Sequence, residues 1–169
     1  MADFPTLQPA FTVQVRIEAS TEIGSQSRKS KFMVTPMVGG TVKSEPGFSP
    51  SFNGEFVGQG NDYIHVDPNG KRLRLDARGV VKTTDGAAVF LHYTGVVDAT
   101  PELAKIMSGE AESMTTPYGG SFIHMTLETG DERYHGLETG VYVGAGHFVF
   151  NKGELPIVEY KMSKVAAGK

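Results

Sequence analysis

The sequence predicts a mainly β protein: a single antiparallel β-barrel with one short helix. Three observations carry this. Two turn signals sit mid-chain. Asp67-Pro68-Asn69-Gly70 separates Tyr63-Ile64-His65-Val66 from Leu73 to Arg78, and Asp85-Gly86 separates Val80 to Thr83 from Val89 to Tyr93. Asn-Gly and Asp-Gly supply the positive φ of tight hairpin turns, so each flanked pair reads as a β-hairpin. Apolar and polar residues alternate along most of the remaining segments, as half-buried strands require. Finally, 21 glycines in 169 residues suit bent strands and tight turns.

The elements follow in order. Phe11, Val13, Val15 and Ile17 alternate with Thr12, Gln14, Arg16 and Glu18 in a first strand. Residues 23–30 form a polar loop. Lys31 to Val42 is a second strand, bent at Pro36 and Gly39-Gly40. Ser44 to Pro50 is a loop, and Phe52 to Val57 a third strand. After the hairpins, Thr100 caps a helix with Pro101 in its first turn and an apolar stripe of Leu103, Ile106 and Met107; Gly109 ends it. Residues 111–120 are a loop. Ser121 to Leu127 is a strand, residues 132–137 a turn or short helical segment, and Val141 to Phe150 another strand. Ile157 to Met162 is the last, followed by a frayed tail. Eight to ten such strands make an antiparallel barrel of a size that can hold one small ligand.

The chain is long enough for one domain with its own core, spanning 1–169. The net charge of −3 is dispersed, and Arg28-Lys29-Ser30-Lys31 is too short for a basic patch, so no nucleic-acid partner is expected. With no cysteine, disulfides and thiolate catalysis are excluded. The start shows no basic and apolar leader, and no apolar run approaches a membrane span of ~18 residues. A cytoplasmic protein without membrane partners is the expectation.

Ile23-Gly24, Thr35 to Val42, Gly58 to Tyr63, Leu75 to Arg78, Thr84 to Ala87, Tyr93-Thr94-Gly95, Glu132-Arg133-Tyr134 and Val141 to Gly144 occur in an order that resembles the Domain of Unknown Function 3237 family, which has fungal and bacterial members. The resemblance covers most of the chain. It implies a lipocalin-like, or calycin-like, barrel and a homo-oligomer, and no settled activity. Fungal members accompany polyketide or flavonoid-type pathways, where cyclisation and isomerisation are plausible tasks. Two departures stand out. Asp62-Tyr63 replaces the family's Asp-Trp, and Gly136-Leu137-Glu138 replaces its Trp-Leu-Asn. Loss of the second indole either widens a pocket or marks a repacked surface corner.

The candidate chemistry rests on histidines and carboxylates. His124, with Phe122 and Thr126 on its strand face, ranks first as a proton-transfer group; His92, beside Phe90 and Thr94, is second and His65 third. Asp76 and Arg78 share one face with Arg72 and Arg74, opposite Leu73, Leu75 and Ala77. If the charged face lines the lumen, Asp76 orients a histidine and Arg78 binds an oxyanion. The alternative is a solvated ion pair on the barrel exterior. Asp62 is either a turn residue or an inward carboxylate at the barrel mouth. With Tyr63, Tyr134, Phe122 and Phe90 it completes the candidate substrate-binding set, with Tyr134 covering that mouth. No His-x-His pair shares a strand face, so no metal is expected. The glycine-rich stretches lack the strand-to-helix context of a dinucleotide site, and there is no serine elbow. No cofactor is expected.

These features suit a cofactor-free isomerase or cyclase acting on an aromatic or polyketide small molecule. Intramolecular oxa-Michael ring closure, the reaction type of chalcone isomerases, needs only substrate folding and proton transfer. The competing readings are a non-catalytic carrier using the same cup and a barrel filled by its own side chains.

Overall fold

The structure, a computed structural model, describes residues 3–168. Its elements are β1 (Thr6–Ile17), β2 (Thr21–Glu22), β3 (Phe32–Ser44), β4 (Gly54–Phe56), β5 (Gly60–Val66), β6 (Arg72–Thr83), β7 (Ala88–Asp98), α1 (Pro101–Ser108), β8 (Met114–Thr115), β9 (Ser121–Thr129), α2 (His135–Glu138), β10 (Tyr142–Phe150) and β11 (Ile157–Ala166). A 3₁₀ turn, Glu132–Tyr134, leads into α2.

Eight strands close a ring in the order β1, β11, β10, β9, β7, β6, β5, β3, and the antiparallel β1–β3 pair seals it. The short β4 bridges β3 and β6 alongside β5. Closure leaves the ring without a free edge. The two expected hairpins share one strand: β6 pairs with β5 over its first half and with β7 along its whole length. Gly70 and Gly86 take the positive φ their turns demand, 71° and 95°. The tail does not fray after Met162. β11 runs to Ala166, which pairs with Thr6.

Alternation decides what fills the lumen. Phe11, Val13, Val15 and Ile17 of β1, Leu75 and Ala77 of β6, and Ile123, Met125 and Leu127 of β9 all point inward and are buried. Two ends result. At one, Phe11, Phe52, Phe48 and Tyr142 form an aromatic plug, with the Phe11 and Phe52 rings edge to face at 5.3 Å. The 3₁₀ turn and α2 close this end. At the other lies α1, as the sequence anticipates. Thr100 Oγ1 accepts from the Leu103 N–H, Pro101 opens the helix, and Gly109 ends it at φ 76°. Leu103 and Ile106 of α1 are buried against the barrel.

Candidate active site

The site lies under α1. Asp62 occupies an inward position of β5, in a row that runs across Ala77 of β6 to Tyr93 of β7. Only 7% of Asp62 is exposed. Its carboxylate shares a cavity of ≈ 40 Å³ with Tyr93 and Tyr160 among apolar walls that include Ile64, Leu75 and Val158. Burial pushes the Asp62 carboxyl up from 3.8 to about 7; the Asp76 backbone N–H, which donates to Oδ1 at 3.0 Å, opposes this, and the Asp76 charge adds to it. A carboxyl inside an apolar barrel resists ionisation because its charge loses hydration.

Tyr93 and Tyr160 stand beside it with ring centroids 5.3 Å apart. Burial and then a neighbouring charge raise both phenols: first the Tyr160 hydroxyl for Tyr93, and the Asp62 carboxylate for Tyr160. Both therefore stay neutral hydrogen-bond donors. The acceptor of the Tyr93 hydroxyl is the Met37 thioether at 3.7 Å, a weak partner that a ligand oxygen can replace. Tyr160 sits where it does because Gly146 faces it across the β10–β11 pair. A Cβ on Gly146 would come within 2.5 Å of the Tyr160 ring.

Outside the cavity is a vestibule of ≈ 380 Å³ between α1, the 114–117 segment and the ends of β7, β9 and β10. Val97, Leu103 and Phe148 line both spaces and stand between them, a boundary termed the neck below. Ser121 and Gly146 are on the vestibule wall, against the Tyr160 ring. His147 joins that wall, held by Glu159 at 3.1 Å and by the Thr116 carbonyl at 2.9 Å, with the Tyr118 ring stacked on it.

The expected lumen residues lie elsewhere. His92, Asp76 and Arg78 do come together: His92 Nε2 is 2.8 Å from Asp76 Oδ1, and Arg78 Nε is 3.5 Å from the same atom. They do so on the outer face, half exposed, because Leu75, Ala77, Leu91 and Tyr93 take the alternating inward positions. His124 and Phe122 are exposed for the same reason, since Ile123 and Met125 point inward. Phe122 is 59% exposed. Phe90 faces outward opposite Val80 and Glu128. His65 stacks on Phe32 at 4.5 Å outside the barrel, and Tyr63 is also exposed, because Asp62 and Ile64 hold the inward places. Tyr134 is buried, but at the far end, where its hydroxyl donates to Asp85 Oδ1 at 2.8 Å. It therefore cannot cover the mouth over Asp62. Of the expected site residues, Asp62 alone reaches the cavity. Tyr93, Tyr160 and Ser121 were not anticipated. Their signal was a hydroxyl on the apolar face of a strand.

Comparison with known proteins agrees with this architecture. Residues 5–165 match the family described as "Protein of unknown function (DUF3237)". The chain belongs to this family. Among its relatives is the UPF0311 protein RPA1785 of Rhodopseudomonas palustris, 30% identical over 147 residues, which cover 83% of this chain and 88% of that protein. The crystal structure of RPA1785 superposes with a TM-score of 0.76 at 25% identity, covering 96% of this chain and 98% of that one. A beta-barrel like protein from Acinetobacter baumannii matches with a TM-score of 0.72 at 26% identity over 96% of both chains. An enzyme from Penicillium herquei shares the fold, with a TM-score of 0.62 at 18% identity over 95% of this chain and 94% of that one.

Two features of this DUF3237 barrel concern the departures from the family pattern. Gly136 is exposed at the end closed by α2, where a Cβ would meet Pro50 at 3.2 Å. The missing indole is a repacked corner and does not widen the cavity. Tyr63 points away from the lumen. Among the described residues no three His, Asp or Glu side chains converge as metal ligands would, and no helix is long and apolar enough to cross a membrane.

Proposed function

We propose that this DUF3237 protein is a small-molecule isomerase or cyclase in which Asp62, rather than a histidine, moves the proton. One observation carries the reading: a carboxyl buried in the barrel, raised to about 7, beside the neutral phenols of Tyr93 and Tyr160. A group poised near neutrality can both take and return a proton, which general acid–base catalysis needs. The vestibule volume of ≈ 380 Å³ falls in the range of small-molecule pockets, roughly 300–1,000 Å³. The inner cavity that holds Asp62, at ≈ 40 Å³, lies far below it, so the reading requires the reacting end of the ligand to enter that cavity. A ligand that stays in the vestibule would favour a barrel filled by its own side chains. The Penicillium herquei neighbour is an enzyme, so the fold carries chemistry in another protein.

The chemistry that fits best is ring closure of a polyketide- or flavonoid-type enone phenol. Ionised Asp62 takes the phenol proton. The phenolate oxygen adds to the β-carbon of the enone, and the electron pair moves to the enone oxygen. Tyr93 donates a hydrogen bond to that enolate, a role suited to a phenol that stays protonated. Protonated Asp62 then returns the proton to the α-carbon. The product is an isomer of the substrate, with no change in oxidation level.

The test is single-turnover kinetics with a chalcone or related enone phenol on the wild type and Asp62→Asn, with binding followed by calorimetry. Asn keeps the acceptor for the Asp76 N–H but moves no proton. Turnover should fall about 10²–10⁴-fold while binding changes little. Equal turnover would overturn the acid–base role. Tight binding with no turnover in the wild type would favour a carrier.

A further inference from the structure

Ser121 is the inward residue at the vestibule end of β9. It is 2% exposed, lines the vestibule wall, and its Oγ has no hydrogen-bond partner. The Tyr160 hydroxyl is close enough to Ser121 for a loose side-chain contact that eases the rise of its own pKa, but no hydrogen bond of good geometry forms between them. Buried hydroxyls without partners are uncommon and costly to keep. A ligand oxygen reaching the neck would supply the missing partner.

The charge of the walls narrows the ligand further. Across the vestibule and the inner cavity the ionisable lining groups are Asp98, Glu102, His147 and Asp62 with its two tyrosines; among the described residues no lysine or arginine lines either space. The Arg72 guanidinium is paired with the lining residue Asp98 at 3.0 Å, and His147 is committed to Glu159 and the Thr116 carbonyl. An anionic ligand would meet carboxylates and no free cation. The neck of Val97, Leu103 and Phe148 would also strip its hydration without compensation.

On the reading that vestibule and cavity form one ligand site, we infer that the site takes a compact molecule without an anionic group, anchored at the neck by a hydrogen bond between Ser121 Oγ and a carbonyl or hydroxyl oxygen. Carboxylates, phosphate esters and acyl thioesters of phosphorylated carriers are outside its range. Ser121 is then a specificity-determining residue.

The experiment compares two probes of one ring size, 4-hydroxyacetophenone and 4-hydroxybenzoate, at a mildly acidic pH where the ketone is uncharged and the benzoate is an anion. Binding is read by amide chemical-shift perturbation and calorimetry on the wild type, Ser121→Ala and Glu102→Lys. The ketone should shift the amides of Val97, Ser121 and Phe148 and bind at least about tenfold tighter than the benzoate. Ser121→Ala should weaken the ketone about three- to tenfold with a melting temperature that is unchanged or raised, and Glu102→Lys should improve benzoate binding. Equal or tighter benzoate binding, an unaffected ketone affinity in Ser121→Ala, or no ketone binding at millimolar concentration would each overturn the inference. These are binding readouts, so they fail separately from the proton-transfer role of Asp62, which turnover tests.

Discussion

The backbone N–H of Asp76 donates to the Asp62 carboxylate at 3.0 Å, while the side chain of Asp76 turns the other way, to His92 outside the barrel. One residue therefore joins the two faces of the barrel wall. Its amide holds the buried carboxyl in place, and its negative charge helps to keep that carboxyl protonated. The exterior cluster of His92, Asp76 and Arg78 is thereby linked to the site.

Removing the exterior histidines should leave catalysis nearly intact. His92→Ala and His124→Ala are expected to keep turnover within about threefold of wild type, since neither side chain reaches the cavity and exposed ion pairs contribute ~0–1 kcal/mol. Single-turnover rates on the enone phenol check this. A loss of about 10²-fold in either variant would return the site to the outer face.

Asp62 should destabilise the fold as pH rises. Its carboxyl titrates near 7 when folded, against an ordinary value of 3.8. Below 3.8 both states hold the proton and the shift has no effect. Between the two values only the unfolded chain has released it, so stability falls with increasing pH and levels off above about 7. Asp62→Asn should escape this loss, with an advantage over wild type that grows to as much as about 4 kcal/mol at neutral pH. Urea denaturation of both proteins at a series of pH values measures it. A difference that does not vary with pH would contradict the burial.

Gly146→Ala should disturb the site directly. The added Cβ would lie 2.5 Å from the Tyr160 ring, so the ring must move. A cost of about 1–3 kcal/mol is expected, along with weaker ligand binding. Thermal melts and calorimetry on this variant show whether the two losses occur together.

The aromatic plug should be separable from function. Phe11 is fully buried and packs on Phe48, Phe52 and Tyr142. Phe11→Ala should cost about 3–5 kcal/mol of stability and leave the turnover of the folded fraction unchanged. Denaturation and active-site-normalised rates give the two numbers.

The barrel was legible in the sequence because its signals are local. Asn69-Gly70 and Asp85-Gly86 dictate turns, and Thr100, Pro101 and Gly109 bound the one main helix through groups they touch themselves. The sharing of β6 by both hairpins was not visible, because Gly79 between Arg78 and Val80 looks like a break until both partners are in place. The site was harder to read. Alternation shows that Asp76 and Leu75 face opposite ways but not which way is inward, and so leaves the charged face open between a lumen lining and an exterior ion pair. The apolar face is the buried one, as the cost of desolvating charge requires. On that choice Tyr93 with Leu91, and Tyr160 with Val158 and Met162, become inward hydroxyls, and His92 and His124 become surface residues. Asp62 was recognised as a possible inward carboxylate. Its company of two tyrosines was not, because Asp62 and Tyr160 are far apart in sequence and meet only when the ring closes.

The most direct test of the account is a carbon-13 NMR titration of the Asp62 carboxyl, assigned by the signal lost in Asp62→Asn. A midpoint near 7, well above that of the exposed aspartates, is the result the account predicts. A midpoint near the ordinary 3.8 would show a solvated carboxylate and contradict the buried proton-transfer site on which the proposed function rests.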